Sequence, residues 1–276
     1  MRLLTTLSLA SSCRAISTNT RPISVMFSSL KSPVSVLEAA DPDSLVLDGH
    51  ALANDDCDVY GAMLWPSSYA VASSLVADLQ SSDAARTRVV ELGCGPGLPS
   101  LAALAAGAGE VIACDWSPLA LELVERAAHE HQPSRAHRLR VEHVNVKDPS
   151  QALPWEADDG TARFGRTVLI CADMLYEAET ARAVARCVAS LLTQPGTMAV
   201  VADPGRMAGQ GRQHLLRELQ RASGQAAWAS AARFVDEPIA QAELRSFGAS
   251  LSWCGESETS VGLLTCARPP DGVRGR

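Results

Sequence analysis

Three glycines within residues 89–100 (VVELGCGPGLPS) have the spacing in this chain that most directly indicates chemistry. They are Gly93, Gly95 and Gly97, and they follow an apolar run that predicts a buried β-strand. Glycine has no Cβ, so a loop built from it can turn with positive φ and let a ligand approach the backbone. Open α/β sheets bind nucleotide-like ligands at such loops, at the carboxyl ends of their strands.

An acidic residue on each side of the loop restricts the class of ligand that the loop can bind. Glu91 precedes the glycines, and Asp115 ends the next predicted strand, where a carboxylate can accept both hydroxyls of a ribose. The spacing is GxGxG, whereas dinucleotide sites usually show GxGxxG, and no lysine follows the glycines as it does in triphosphate-binding loops. A nucleoside-containing ligand other than a nucleoside triphosphate is therefore expected.

The elements that must position these residues alternate along the chain. Strands are predicted at 88–92, 110–115, 138–144, 167–172 and 197–202, and helices at 98–106, 117–129, 178–192 and 211–222, with a further helix starting at Ser68. Such alternation implies an α/β fold with a mainly parallel sheet covered on both faces. Two short strands, 250–254 and 260–267, predict an antiparallel pair at one sheet edge, whereas 226–247 is ambiguous.

The leading segment differs in composition from the rest. Residues 1–37 contain no acid and are rich in Ser, Thr, Ala, Leu and Arg, which is typical of an organellar transit peptide. A secretory signal is disfavoured because polar residues interrupt its short apolar stretch. We therefore expect a disordered segment 1–37, one domain over 38–268 and a disordered tail 269–276. The expected compartment is the mitochondrion, with the chloroplast as an alternative and a cytoplasmic form if translation starts at Met26.

Composition also excludes some classes of function. A net charge of −7 disfavours nonspecific nucleic-acid binding, which needs clustered positive charge. No apolar run approaches the ~18 residues of a membrane span. The eight cysteines form no CxxC pair and are interpreted as buried thiols in a reducing compartment. The histidines near 129–143 complete no ligand set, so no metal is expected, and the chain is expected to be a monomer.

Four motifs together resemble a known family. ELGCGPG, followed by CD at the end of the second strand, resembles the class I S-adenosylmethionine-dependent methyltransferases. LWPSS (64–68), CADMLYEAE (171–179) and VADPGR (201–206) are similar to its seven-β-strand protein-lysine methyltransferase group, methyltransferase family 16, which includes enzymes acting on chaperones and on the β subunit of electron-transfer flavoprotein. The resemblance implies a Rossmann-like, seven-stranded, mostly parallel sheet with a reversed last strand and helices on both faces. It also implies S-adenosyl-L-methionine as cofactor and a protein substrate.

The resemblance assigns cofactor contacts to individual residues. Glu91 and the glycine loop would hold the methionine moiety, Asp115 would hold the ribose, and Trp116 would pack on the adenine. The further cofactor contacts implied are Trp65, Asn145, Trp155 and Ala172. Trp65 and Trp116 also fit a purely packing role.

The DxxY motif, from Asp173 to Tyr176, is the predicted catalytic pair. A lysine amine has a pKa of ~10.4 and must lose a proton before it attacks a methyl group. A carboxylate can orient the ammonium group, and a dry aromatic wall can favour the neutral amine. Asp203 and Arg206 are expected on the acceptor side.

Three alternatives to this assignment stay open. Asp173 also fits the role of a helix N-cap. The whole chain also fits a small-molecule, nicotinamide-like N-methyltransferase, and less well a non-catalytic module that keeps the cofactor fold.

Overall fold

The computed structural model describes residues 19–41, 60–155, 163–205, 209–223, 232–239 and 259–268. In chain order the strands are β1 (Thr20–Val25), β2 (Val34–Ala39), β3 (Thr87–Leu92), β4 (Glu110–Asp115), β5 (Leu139–His143), β6 (Arg166–Ala172), β7 (Thr197–Asp203), β8 (Val235–Ile239) and β9 (Thr259–Arg268). The helices are α1 (Pro66–Ser81), α2 (Leu98–Ala106), α3 (Pro118–His131), α4 (Ala178–Leu191) and α5 (Gln210–Ala222).

The main sheet has the strand order β5-β4-β3-β6-β7-β9-β8. Strands β3 to β7 pair in parallel, whereas β9 lies antiparallel between β7 and β8. This confirms the predicted seven-stranded, mostly parallel sheet with a reversed last strand. The chain runs outward from β3 through β4 to β5 and returns to β6 on the other side, so the topological switch point lies between the carboxyl ends of β3 and β6, where such sheets bind ligands.

Helices cover both faces of the sheet and create two cores. On one face Val89 and Val111 of the sheet are in one apolar cluster with side chains of α1, α2 and α3. On the other face Val90 and Ile112 are in a second cluster with side chains of α4 and α5. Successive residues of β3 therefore pack into opposite cores. Because both faces of the strand are buried, the sequences of the central strands are continuously apolar.

A two-stranded sheet near the beginning of the chain differs from the expectation. Strands β1 and β2 form an antiparallel pair in which Arg21 lies opposite Glu38, and β2 packs against α2 and α3. The predicted domain boundary at residue 38 therefore falls inside a packed element. The physical reason is alternation, since Ile23, Val25 and Phe27 place every second side chain in the core shared with α2 and α3. Residues 1–18 lie outside the described residues.

The end of the main sheet also differs from the expectation in one strand. β9 matches the strand predicted at 260–267, but its described edge partner is β8, which falls in the segment that the sequence left ambiguous. The strand predicted at 250–254 and the tail 269–276 lie outside the described residues. No helix within the described ranges is both long and apolar enough to cross a membrane.

Candidate functional site

A cavity of about 440 Å³ opens at the carboxyl ends of β3, β4 and β6. Its volume is within the range of roughly 300–1,000 Å³ that is usual for small-molecule and cofactor sites. The lining residues are Tyr60, Gly61, Trp65, Gly93, Gly95, Asp115, Trp116, Ala172, Asp173, Met174 and Tyr176. Most of the residues that the sequence predicts for the site therefore line this one cavity, although they come from separate strand ends.

The loop glycines have different surroundings: Gly93 and Gly95 line the cavity, whereas Gly97 does not, and a Cβ on Gly97 would clash with Val124 Cγ2 of α3. All three have positive φ, at 65° for Gly93, 50° for Gly95 and 73° for Gly97. A Cβ on Gly93 would meet Met174 Sδ at 2.5 Å, so the loop and the segment after β6 can approach only through a glycine. A Cβ on Gly95 would be in ordinary van der Waals contact with Gly61 O at 3.5 Å, and Gly95 itself lines the cavity. Gly95 therefore leaves backbone accessible from the cavity.

Asp115 fixes the loop while facing the cavity. Its Oδ2 accepts a hydrogen bond from Gly95 N at 3.0 Å, and its Oδ1 accepts one from Ser117 N at 2.8 Å. The carboxylate also lines the cavity, where its oxygens can accept from the hydroxyls of a ligand. The carboxylate is thus preorganised at the end of β4, where the sequence predicts ribose binding.

Glu91 lies behind the loop and is not part of the cavity wall. Its Oε2 accepts hydrogen bonds from Ser100 N at 2.9 Å and Ser100 Oγ at 2.5 Å, which satisfies a free N–H in the first turn of α2. Within the described residues, nothing hydrogen-bonds its Oε1. Burial raises the pKa of the Glu91 carboxyl to about 8, and the nearby Asp115 adds to the shift. Its contact with a methionine ammonium group stays a prediction.

Aromatic side chains surround the cavity mouth. Trp65 precedes α1, donates its indole N–H to Tyr60 O at 3.2 Å, and has its ring centroid 6.4 Å from that of Tyr60. Tyr60, Trp116 and Tyr176 are 44%, 40% and 48% exposed. Sequence reasoning missed Tyr60 because it directly follows a polar, Asp-rich stretch. The signal that could have found it is its spacing of five residues from Trp65.

Two residues predicted to contact the adenine lie elsewhere in the structure. Trp155 is buried in the core cluster of α4 and α5, with its indole N–H donated to Ser190 Oγ at 3.4 Å. Asn145 is exposed, and its Oδ1 accepts a hydrogen bond from Lys147 N at 3.0 Å. Neither side chain lines the cavity, so both contacts stay predictions that the geometry does not support.

Asp173 has an uncommon backbone conformation at the end of β6. Its φ is 57°, and it is the one non-glycine residue with positive φ in the described part of the chain. Its backbone N–H donates to Ala202 O at 2.9 Å, and its Oδ2 accepts from Ser67 Oγ at 3.3 Å. The N-cap of α4 is Glu177, so the alternative role of Asp173 as that cap does not hold. Strained residues of this kind cluster at functional sites.

Tyr176 is held next to an ion pair that joins two loops. Lys147, in the loop after β5, pairs with Glu177 Oε1, and this hydrogen bond raises the pKa of Lys147 and lowers that of Glu177. Thr180 Oγ1 also donates to Glu177 Oε1, at 2.7 Å. The exposed Tyr176 ring therefore stands on a segment that is fixed from two sides.

Asp203 is buried and bound by its own neighbours. Its Oδ2 accepts hydrogen bonds from Arg212 Nε and from Gly205 N, both at 2.8 Å, while Arg212 Nη1 also donates to Asp236 Oδ1 at 2.7 Å. Burial raises the pKa of the Asp203 carboxyl, and Arg212 opposes the shift. This network joins β7, α5 and β8 behind the cavity, so an acceptor contact of Asp203 stays a prediction. Arg206 lies outside the described residues.

Metal ligands and reactive thiols do not form part of the described site. Among the described residues, no group of three or more His, Cys, Asp or Glu side chains is placed to hold a metal ion. Cys94, Cys114 and Cys171 are buried, and burial raises the pKa of each thiol well above its usual value. Buried thiols of this kind are structural and not nucleophilic.

Residues 89–196 match the family model described as a methyltransferase domain. The seven-stranded fold, with its cavity at the switch point, agrees with that match. This matched segment contains the glycine loop, Asp115 and the DxxY motif.

More specific relatives cover about half of the chain. The electron transfer flavoprotein beta subunit lysine methyltransferase of Xenopus laevis is 31% identical over 151 residues, which are 54% of this chain and 54% of that protein. The protein of the same name from Danio rerio is 28% identical over 151 residues, which are 54% of this chain and 51% of that protein. The chain thus spans about half the length of the curated relatives it matches.

A solved structure of the magnesium protoporphyrin IX methyltransferase of Synechocystis with bound SAH aligns with a TM-score of 0.47 and 15% identity, over 83% of this chain and 95% of that chain. An alignment this loose carries no conclusion on function.

S-adenosylmethionine is the cofactor that this class of domain implies, and the residues present fit it. The carboxylate of Asp115 in the wall suits a ribose, and the rings of Trp65 and Trp116 suit an adenine. Glu91 Oε1, buried behind the loop and without a hydrogen-bond partner among the described residues, is a polar atom that an ammonium group could pair with. A Cβ on Gly93 would displace Met174 from the wall.

Proposed function

We propose that this chain is an S-adenosylmethionine-dependent N-methyltransferase that methylates lysine side chains of a protein substrate. The observation that carries the proposal is the position of Asp173 and Tyr176 in the same cavity wall as the glycine loop and Asp115. A cofactor bound along the loop would place its reactive end beside this carboxylate and this ring. The relatives named for lysine methylation support the choice of acceptor.

The chain's own residues supply positioning and control of a proton. The cofactor supplies a methyl group bound to a sulfonium sulfur, and most of the rate gain in such a displacement comes from aligning the two reactants. The Asp173 carboxylate, held by Ser67, would orient the incoming ammonium group. Tyr176 would exclude water from the amine, which favours loss of its proton.

A protein acceptor agrees better with the open rim than a small molecule does. The cavity of about 440 Å³ is half open to solvent, and its volume suits one cofactor-sized ligand with an acceptor that enters from outside. Tyr60 and Tyr176 are nearly half exposed at the mouth, where a long lysine side chain can enter from a large partner. A small-molecule acceptor such as a nicotinamide-like base would need an enclosed pocket of its own.

The test is a methylation assay with radiolabelled S-adenosylmethionine and an organellar protein extract, with Asp173→Asn as the matched inactive variant. Label should appear in protein with the wild type and not with the variant, and it should survive as methyl-lysine after hydrolysis. Label in a small molecule alone would favour the second candidate. No cofactor binding by the wild-type protein would favour a non-catalytic module.

Residues 1–18 and the cellular compartment form a separate part of the proposal. The basic, acid-free composition of the first residues supports import into the mitochondrion. A fluorescent protein fused after residue 41 should be imported by the native leading segment and should stay in the cytoplasm when its arginines are replaced by alanine.

A further inference from the structure

Glu38 of β2 is a buried carboxylate that the proposed function does not use. Its side chain is 0% exposed, and its two oxygens serve different parts of the molecule. Oε1 accepts hydrogen bonds from Arg21 Nη2 at 2.7 Å and Nε at 3.2 Å, whereas Oε2 accepts one from Leu64 N at 3.0 Å. A charge buried this deeply is costly unless it is paired, so both contacts matter for keeping it there.

Residues 60–65, which include the Leu64 that donates its backbone N–H to Glu38, form one wall of the cavity. Leu64 is next to Trp65, and Tyr60 and Gly61 line the same wall a few residues earlier. The segment is closed on itself, because Met63 N and the Trp65 indole both donate to Tyr60 O at 3.2 Å. Its one charged anchor among the described bonds is the Glu38 carboxylate.

The same segment meets both halves of the site. On the cofactor side, Gly61 O lies 3.5 Å from where a Cβ of Gly95 would be, so the segment sits directly against the glycine loop. On the acceptor side, Ser67 Oγ donates to Asp173 Oδ2 at 3.3 Å. A shift of the Leu64 backbone would therefore move the aromatic wall and the partner of Asp173 together.

We propose that Glu38 is a positioning residue for the cofactor cavity, acting through its hydrogen bond to the Leu64 backbone. β2 thus contributes to the site through Glu38, whereas Arg21 of β1 compensates the buried charge and stabilises the fold. The inference rests on the cofactor part of the proposed function.

The experiment compares variants of the full chain by titration with S-adenosylmethionine in a calorimeter and by thermal unfolding. Glu38→Ala removes both contacts, and Arg21→Met removes the ion pair but leaves the acceptor for Leu64. Glu110→Gln is the matched control, because Glu110 Oε2 pairs with the buried Arg88 at 2.7 Å at the opposite, amino end of the sheet.

All three variants should lower Tm, whereas only Glu38→Ala should raise the Kd for S-adenosylmethionine at least tenfold. The other two should stay within threefold of the wild type. If Glu38→Ala does not fold, Glu38→Gln replaces it, with an expected rise of threefold to tenfold.

The proposal is overturned if the Glu38 variant and Glu110→Gln lose similar Tm and bind the cofactor within twofold of each other. Absence of binding by the wild type would instead contradict the cofactor part of the proposed function, so the two failures are distinguishable.

Discussion

The cofactor side and the acceptor side of the cavity are built from contacts of very different sequence separation. On the cofactor side, Gly95 bonds to Asp115 across 20 residues and Ser100 bonds to Glu91 across 9. On the acceptor side, Ser67 reaches Asp173 across 106 residues. The glycine loop, Glu91 and Asp115 are therefore encoded within one strand–loop–helix–strand stretch, whereas the contact of Asp173 with Ser67 forms only once distant segments have packed.

The largest difference between the two sides is expected for a substitution of Asp173. Asp173→Asn keeps a side chain that tolerates the left-handed backbone and still accepts a hydrogen bond from Ser67, but it removes the negative charge. We expect kcat to fall by on the order of a hundredfold or more, which is typical when a proton-handling group is lost. The Kd for S-adenosylmethionine, measured by calorimetry, should change less than threefold. A loss of cofactor affinity as large as the loss of kcat would contradict the separation of the two sides.

Gly93 tests the opposite side. Gly93→Ala places a Cβ 2.5 Å from Met174 Sδ and strains a residue with a φ of 65°, which costs roughly 1–2 kcal/mol for a non-glycine residue. We expect the Kd for S-adenosylmethionine to rise by roughly tenfold or more, as the loop and Met174 move apart, with kcat at saturating cofactor reduced far less.

The matched control for that change is Gly107→Ala. Gly107 has a φ of 95° at the end of α2, and a Cβ there would meet no atom within 4 Å. This variant should lower Tm and leave the Kd unchanged. Equal effects of the two substitutions on cofactor affinity would show that loop strain alone, and not contact with Met174, controls the site.

Ser67 tests the acceptor side separately, because its hydroxyl donates to Asp173. Ser67→Ala removes the hydrogen bond to Asp173 Oδ2, and a neutral donor to a charged group contributes roughly 1.5–3 kcal/mol. Part of that loss is recovered by water at the cavity, so we expect a threefold to tenfold fall in kcat with an unchanged cofactor Kd.

Ser67→Thr should restore most of the activity, because it keeps the hydroxyl. Ser68→Ala, in the same turn of α1 and also buried, is the control and should affect Tm alone. A fall in kcat for Ser68→Ala equal to that for Ser67→Ala would point to α1 packing as the cause.

Glu91 is tested through the pH dependence of stability and not through activity. Its pKa is about 8 in the folded protein against 4.5 ordinarily, so the fold keeps a proton that the unfolded chain has released. The stability from protonated Glu91 is complete below pH 4.5 and is lost as pH rises to about 8. Urea unfolding from pH 5 to 8 should show a fall in the free energy of unfolding that is reduced in Glu91→Gln.

Glu125→Gln, which changes an exposed carboxyl of α3, should reproduce the wild-type pH profile. Parallel profiles for wild type and Glu91→Gln would show that Glu91 is ionised in the fold throughout this range.

The same contrast explains what the sequence could and could not predict. Gly93, Gly95 and Asp115 were found because a strand, a glycine loop and the next strand end form one local pattern. Trp155 illustrates the limit, since nothing in its local sequence separates a tryptophan over a cavity from one that packs on α4. Arg212 was missed because Asp203 and Asp236, which accept its three hydrogen bonds, become its neighbours only after α5 packs against the sheet.

The β1–β2 pair was missed for a different reason. Its composition, rich in Ser and Thr and basic, favoured a targeting segment, although Ile23, Val25 and Phe27 alternate as strand residues do. Composition averages over a window and therefore hides a period of two. In this segment the alternation of apolar side chains indicates the strand, and the average composition does not.

The position of Arg21 on β1 limits where a targeting segment could be removed. Removal of a targeting segment leaves the Arg21–Glu38 pair intact only if the cut falls before Thr20, where β1 begins. A chain translated from Met26 would lack all of β1 and would leave the Glu38 charge without its arginine. An imported product and a product started at Met26 would therefore differ in the structure beside the cofactor cavity as well as in cellular compartment.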